Sequence, residues 1–529
     1  MTQPTPAGPL TPSPPASLTP SPPASPPPSP AASPAPSPRL APPAPPPPDR
    51  DWRLLIAGQP AGAASGRYFF KESPADRAII ARVPDAGAAD VDRAVAAAAD
   101  AAPGWARVPA RQRGAIVREM AARLAEHAAE LAVLDAIDAG LPVTAMRTDV
   151  TWAVELMTLF ADWAMELKGE TVPASAEHLH FTERRPYGVV ARIIPYNHPL
   201  FFAAGKIAAP LVAGNAVVLK PPDQAPLSAL RMGELLSDLV PPGVLSVVVG
   251  SGPEAGRALV RHPAVRRIGF IGSEPTGRAI QRDAAETGVK NVTLELGGKN
   301  AMIVLPDADL DRAAASAVAG MNFAVSAGQS CGSTSRLLLH SDIAGDVLDR
   351  VVKLASGIRV GLPLDPETQM GPLSFKRQYE HVVRMIDSGK QSGATLTAGG
   401  SAPPDENLRR GYYLQPTIFT GVTPDMPIAR EETFGPVLSV LTYSDPAEAV
   451  RIANSVDYGL TASVWTTSLR SAHQITRELD AGYVWVNGAS RHFWGMPFGG
   501  VKSSGVGREE SLEELLSYTQ LKSVNVLLD

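Results

Sequence analysis

Tyr187-Gly188-Val189-Val190-Ala191-Arg192-Ile193-Ile194, closed by Pro195, is an apolar, β-branched run of strand length, and a helix-length segment through Phe201 to Leu211 follows it. Ala216 to Lys220, Leu245 to Val249 and Arg267 to Ile271 are further runs of this kind, separated by stretches long enough for a helix. Strand and helix in alternation predict parallel β-α-β units. The alternation recurs at Leu337 to His340, Val437 to Leu441, Ala462 to Thr466 and Gly482 to Asn487, so two α/β domains are expected. Between Val91 and Met146 the chain is rich in Ala, Leu, Arg and Glu. Within it, Arg111 to Leu134 carries Ile116, Met120, Leu124, Ala128 and Leu131 at three- and four-residue spacing, which predicts one amphipathic scaffold helix.

A chain of 529 residues exceeds the size at which a single hydrophobic core stops growing, so two or three domains are expected. With 48 basic against 53 acidic residues and a net charge of −5, there is no electrostatic reason to expect nucleic acid or a polybasic membrane contact. No stretch approaches the roughly 18 to 20 apolar residues of a spanning helix, and the N-terminus lacks a basic start and an apolar signal core. A cytoplasmic, reducing location is the expectation. Residues 1–50 hold 22 of the 53 prolines, mixed with Ser, Ala and Thr. Such a segment has too little apolar surface to offset its ordering entropy, which predicts an extended, disordered tail. It reads either as a low-complexity extension or as a P-x-x-P ligand for an SH3-like partner. The globular part is expected from Asp51.

The chain has one cysteine, Cys331, in Gly328-Gln329-Ser330-Cys331, thirty-six positions after Glu295. A single thiol forms no internal disulfide and no multi-cysteine metal site, leaving core filler or reactive nucleophile as its roles. Three features fall at predicted strand ends, where ligands of open parallel sheets bind. Ile194-Pro195-Tyr196-Asn197 leaves the first strand, Lys220-Pro221-Pro222-Asp223 the second, and Gly272-Ser273-Glu274-Pro275-Thr276-Gly277 the fourth. The last opens a helix with small residues and free N–H groups, a cradle for a pyrophosphate although not the usual G-x-G-x-x-G. Asp223 reads as an acceptor for ribose hydroxyls or as a helix N-cap. Asn197 before Pro199 also fits an Asx-turn. Gly505-Val506-Gly507 follows no strand-to-helix turn and reads as a structural turn, not a phosphate loop.

Taken in order, Pro195-Tyr196-Asn197-His198-Pro199-Leu200, Ala213 to Pro221, Phe270-Ile271-Gly272-Ser273, Leu294-Glu295-Leu296-Gly297-Gly298-Lys299, Gly328 to Cys331, Glu431 to Val437 and Pro497 to Lys502 resemble the successive signatures of the NAD(P)-dependent aldehyde dehydrogenase superfamily. The resemblance covers nearly everything outside the proline-rich segment. It implies a Rossmann-like cofactor domain (residues 51–167 and 187–293), an α/β catalytic domain (294–500) and a small β oligomerisation element (168–186 and 501–529). It also implies a homo-oligomer, dimer or tetramer.

The chemistry implied is attack by Cys331 on an aldehyde, with Asn197 and the Cys331 N–H holding the oxyanion, hydride loss to leave a thioester, and Glu295 as the base that activates water. A free thiol is only about 3 per cent thiolate at pH 7, so Glu295 is also placed to help deprotonate it. Such a base needs a pKa raised by an apolar setting. For the cofactor, Lys220 and Asp223 resemble the adenosine-ribose pair, Gly272 and Ser273 the pyrophosphate turn, Glu432 the acid on the nicotinamide ribose and Phe434 the residue against its ring. Ile194, Tyr196, Gly252 and Leu296 are expected along the nucleotide. Asp223 is shorter than the family's usual Glu, but its charge still repels a 2′-phosphate, favouring NAD over NADP. Ile271 replaces the usual Thr of its turn. Lys206 aligns with a lysine of a proton relay, or is an ion-paired helix lysine. His198, Phe201, Phe202, Phe493 and Trp494 would line the substrate tunnel, which favours an apolar or aromatic aldehyde, with Arg491 as the residue that threatens that reading. The alternatives are a CoA-acylating semialdehyde dehydrogenase, which typically lacks the deacylating Glu, and a non-catalytic scaffold working through its proline-rich tail.

Overall fold

Val189–Ile193 lies in the middle of an eight-stranded sheet in the computed structural model of the chain, which describes residues 44–47, 49–173 and 175–528. The reading of residues 1–50 as a proline-rich tail falls almost wholly outside the described residues. The sheet runs in the order Gln59–Ala61, Leu54–Ile56, Leu245–Val247, Ala216–Lys220, Val189–Ile193, Val265–Ile271, Asn291–Glu295 and Gly505–Val506. Its five inner strands are parallel. Counted along the chain, those five are ordered 3-2-1-4-5, so the winding reverses between Val189–Ile193 and Val265–Ile271. Beyond the carboxyl ends of that pair is where a sheet of this kind binds its ligand. Every residue of Val189–Ile193 and Ala216–Lys220 is buried, as parallel strands covered on both faces require.

Seven strands form a second sheet, ordered Thr395–Ala398, Thr417–Thr420, Val437–Tyr443, Arg336–His340, Ala301–Val304, Thr461–Trp465 and Tyr483–Val486. All neighbours are parallel except the first pair. Each sheet has its own apolar core. One gathers residues from Trp52 to Leu296 with Leu515 and Tyr518, and the other gathers residues from Ala301 to Leu479.

The single helix expected over Arg111 to Leu134 is two helices, Ala110–Glu126 and Ala128–Ala139, broken at His127. His127 leaves helical geometry (φ −99°, ψ 13°) and its N–H is shared among the Arg123, Leu124 and Ala125 carbonyls. The three- and four-residue spacing persists across the break, which is why periodicity alone does not reveal it. Gly505–Val506 is a short strand pairing with Leu294 and Glu295, not a phosphate loop. Gly505 has φ +148°, and a Cβ there would collide with the Leu294 carbonyl, so this close approach requires glycine. A separate three-stranded sheet joins Thr171–Val172, His178–Pro186 and Thr519–Leu527, with the last as an edge strand of nine residues.

Candidate active site

The reversal point of the first sheet opens into a cavity of about 940 Å³. Asn197, Glu295 and Cys331 all stand on its wall. Asn197 follows the strand Val189–Ile193, Glu295 ends the strand Asn291–Glu295, and Cys331 sits in the turn before Arg336–His340. That turn is fixed by a buried amide: Asn300 Nδ2 donates to the carbonyls of Cys331 (2.7 Å) and Ser333 (2.9 Å), and Asn300 Oδ1 accepts from Thr461 N–H (3.0 Å). Asn197 is buried, and its side chain makes no Asx-turn hydrogen bond among the described residues.

Glu295 is 4% exposed, and loss of water pushes its carboxyl up to about 8. The neighbouring charge of Glu509 pushes the same way, while a hydrogen bond from the Cys331 thiol and the charge of Lys206 oppose it. Glu295 Oε1 is buried with no hydrogen-bond partner among the described residues. The thiol of Cys331 is pushed well above its ordinary value, by burial first and then by the charge and hydrogen bond of Glu295. Glu295 thus helps to keep the thiol protonated, whereas the thiol's hydrogen bond eases ionisation of Glu295.

The rest of the cavity wall carries residues expected along a nucleotide. Ile194, Tyr196, Lys220, Asp223, Gly252, Gly272, Ser273, Glu432 and Phe434 all line it, as does Ile271. Leu296 does not: it is buried against Gly277, with its N–H on the Ser504 carbonyl. Asp223 is not a helix N-cap, because the following helix, Leu227–Leu236, begins after Pro226. Burial holds the Lys220 ammonium below its ordinary pKa, with the charge of Asp223 opposing. The helix Glu274–Thr287 points its N-terminus at the cavity with no side-chain cap, since Ser273 Oγ pairs with Thr276 Oγ1 (2.9 Å). Its free N–H groups and positive dipole end suit a phosphate. A Cβ on Gly272 would lie 2.5 Å from the Phe270 ring, so a side chain here would have to push that ring aside. Glu432 Oε1 accepts from Gly298 N–H (2.9 Å), and burial raises its carboxyl to about 7. Phe434 holds a left-handed backbone (φ +47°) and packs edge-on against Tyr196.

Several lining residues had no signal in the sequence. Phe375 packs edge-on on Tyr196 (4.9 Å), and Gln378 Nε2 donates to the Phe434 carbonyl (2.7 Å). Arg377, Arg384 and Arg257 add positive charge to the wall. Beneath Glu295, Lys206 is buried between Glu509 Oε2 (2.9 Å) and Glu514 Oε2 (3.4 Å). Arg192 completes the group with Glu509 Oε1 (3.1 Å) and the Tyr518 hydroxyl (2.8 Å). The adjacent charges Arg508-Glu509-Glu510 were the one available hint.

Of the residues expected along the substrate path, Phe202 reaches the cavity. His198 Nδ1 lies 2.6 Å from Asp149 Oδ2, with Phe202 edge-on to it. Phe201 stacks on Trp494 (6.1 Å), whose Nε1 donates to Glu155. Phe493 is exposed, with the Arg491 guanidinium over its ring (5.1 Å).

The aldehyde dehydrogenase family model matches residues 62–524. Aldehyde dehydrogenase tropH of Talaromyces stipitatus is 46% identical over 463 residues, spanning 86% of this chain and 89% of that protein. The structure of PnpE from Pseudomonas sp. WBC-3 superposes with a TM-score of 0.88 at 40% identity over 90% of this chain and 98% of that one. A second structure, of PnpE in complex with nicotinamide adenine dinucleotide, gives the same values. The indole-3-acetaldehyde dehydrogenase AldA of P. syringae, a mutant solved with NAD+ and IAA, gives a TM-score of 0.88 at 39% identity over 90% and 97% of the two chains.

Proposed function

Because the chain belongs to the aldehyde dehydrogenase family, we propose that it oxidises an apolar or aromatic aldehyde to its carboxylic acid with NAD, through a thioester on Cys331. The observation that carries this reading is the meeting of Cys331, Glu295 and Asn197 on one cavity wall, with Glu295 in hydrogen-bond contact with the thiol.

Glu295 takes the thiol proton, and the sulfur forms a bond to the aldehyde carbon. The charge that develops on oxygen is held by the Asn197 amide and the Cys331 N–H. Losing one such donor typically costs about 10²- to 10³-fold in rate. When bound, NAD supplies the acceptor for the hydride that leaves this carbon with the C–H electron pair. The acyl group stays on Cys331 as a thioester. Glu295 gives up the thiol proton to solvent and then deprotonates a water that attacks the thioester. The C–S bond breaks, the acid departs, and the sulfur regains the water-derived proton from Glu295. The partnerless Glu295 Oε1 supports water, not CoA, as the acyl acceptor.

The cavity fits the dinucleotide. Lys220 and Asp223 hold the adenosine ribose, with Asp223 disfavouring a 2′-phosphate. Gly272, Ser273 and the helix N-terminus receive the pyrophosphate, with Ile194, Tyr196 and Gly252 along the nucleotide. Glu432 and Phe434 hold the nicotinamide end. Leu296 supports the wall from behind by packing on Gly277. Residues 51–167 and 187–293 act as the cofactor domain and 294–500 as the catalytic domain. The three-stranded sheet pairs with a second copy, and a single unpaired thiol suits a reducing, cytoplasmic setting.

The test is reduction of NAD and of NADP against aliphatic, aromatic and semialdehyde substrates, with and without CoA, before and after alkylation of Cys331. CoA-independent turnover that alkylation abolishes is expected. Unchanged turnover of the fully alkylated enzyme would overturn the covalent mechanism.

A further inference from the structure

Cys331 has a second neighbourhood. Besides the cavity, it packs against a small apolar cluster of Leu460, Tyr483, Trp485 and Phe498. His492 lies on that cluster, its ring 4.5 Å from Phe498 and stacked with Tyr483 at 6.3 Å. His492 Nδ1 is 2.8 Å from Glu510 Oε2. Glu510 is 4% exposed and close enough to Cys331 for its charge to act on the thiol.

The surroundings hold this pair rigidly. Trp485 Nε1 donates to the Arg491 carbonyl (2.8 Å), and the Phe493 N–H donates to the Tyr483 hydroxyl, so the residues on either side of His492 are tied to the aromatic cluster. Gly495 N–H donates to the Glu510 carbonyl (2.9 Å). Glu510 itself sits in the left-handed region (φ +62°), a strained conformation for a non-glycine residue and one that gathers at functional sites. With Nδ1–H on Glu510, the second ring nitrogen, Nε2, has no partner among the described residues, and the side chain is 31% exposed. A carboxylate on one ring nitrogen fixes the tautomer and makes the other a stronger acceptor.

We propose that the His492–Glu510 pair reads a hydroxyl group on the ring of an aryl aldehyde, whose ring packs against Phe498, Tyr483 and Trp485. The inference rests on the aldehyde dehydrogenase reading and names the substrate class of that same site. The chemistry favours a neutral hydroxyl over other polar groups. A carboxylate on the substrate would meet the negative charges of Glu510 and Glu509. A quaternary ammonium has no hydrogen to give Nε2. A plain hydrocarbon would bury Nε2 unpaired, and sites built around a substrate hydroxyl reject the analogue lacking it.

The experiment uses the purified full chain with NAD. The kcat/KM is measured for benzaldehyde, its ortho, meta and para hydroxy derivatives, hexanal and betaine aldehyde, in wild type, His492→Phe and Glu510→Gln. Wild type is expected to prefer one hydroxybenzaldehyde over benzaldehyde by about tenfold or more. His492→Phe is expected to bring that ratio to within about threefold of one, chiefly through KM of the hydroxylated substrate. Glu510→Gln leaves the ring in place but removes the charge that polarises it, and lowers the ratio in the same direction. It gives an independent reading if His492→Phe fails to bind NAD and so to fold. An equal ratio in wild type and the folded variants overturns the proposal. So does a wild-type preference for benzaldehyde, hexanal or betaine aldehyde, although the aldehyde dehydrogenase reading then stands. Oxidation of no aldehyde by the wild type would bring down both.

Discussion

A carboxyl and a thiol in contact inside an apolar wall both resist ionising, and at Glu295 and Cys331 the carboxyl yields first, at about 8. If Glu295 must be ionised to accept a proton, turnover should rise with pH up to about 8 and level off above it. A rate profile across that range, flat for Glu295→Gln, checks this. The variant should also fall by about 10² to 10⁴ in kcat and accumulate acyl-enzyme, visible by mass spectrometry after quenching. The same shift has a consequence for stability. The unfolded carboxyl ionises near 4.5 and the folded one near 8, so between these values the native state binds the extra proton and wild type loses stability as pH rises. Glu295→Gln escapes that loss, so its advantage in melting temperature should grow from pH 4.5 to about 8 and then stay constant. The identities of Cys331, Glu295 and Asn197 could be read in the sequence because each stands in a short motif. The acids that act on them, Glu509 and Glu510, left only a run of adjacent charges as a hint, because only folding brings residues some two hundred positions away against Glu295 and Cys331.

Elements supply the positions that those residues need. The central strands were plain in the sequence because residues buried on both faces form continuous apolar runs, and their ends differ from expectation by only a residue or two. The helix break at His127 was not, since the backbone leaves helical geometry there without interrupting the three- and four-residue spacing. The anchor of the Cys331 turn had no signal either: Asn300 joins the starts of two strands, Ala301–Val304 and Thr461–Trp465, to the carbonyl of Cys331. Asn300→Ala strands buried partners of three hydrogen bonds, at about 1 to 3 kcal/mol for each left unsatisfied. Urea unfolding should show a loss of that order. Single-turnover acylation should slow in the same variant, because the turn that carries Cys331 is released.

Across the whole molecule, the C-terminal segment is fastened under the catalytic wall by charge. Glu509 bridges Arg192 of the central strand and Lys206 of the next helix, and those two cations hold its carboxyl below the ordinary range despite burial. Its contribution is therefore present above its unfolded pKa and fades as pH falls. Glu509→Gln leaves two buried cations undercompensated and should cost about 3 to 5 kcal/mol at neutral pH, measured by denaturant unfolding. At the opposite extreme of exposure, the edge strand Thr519–Leu527 carries Leu521 and Leu527 uncovered, at 61% and 65%. If a second copy adds to that edge, Leu521→Asp with Leu527→Asp should shift the protein to monomer in analytical ultracentrifugation. Oxidants meet a different asymmetry. A thiol that stays protonated at rest is slow to react with peroxide, whereas the thiolate drawn out during turnover is not. With no other cysteine in the chain, a sulfenic acid at Cys331 has no intramolecular thiol to trap it as a disulfide. Its repair depends on thiols from solution, and peroxide should inactivate the working enzyme faster than the idle one.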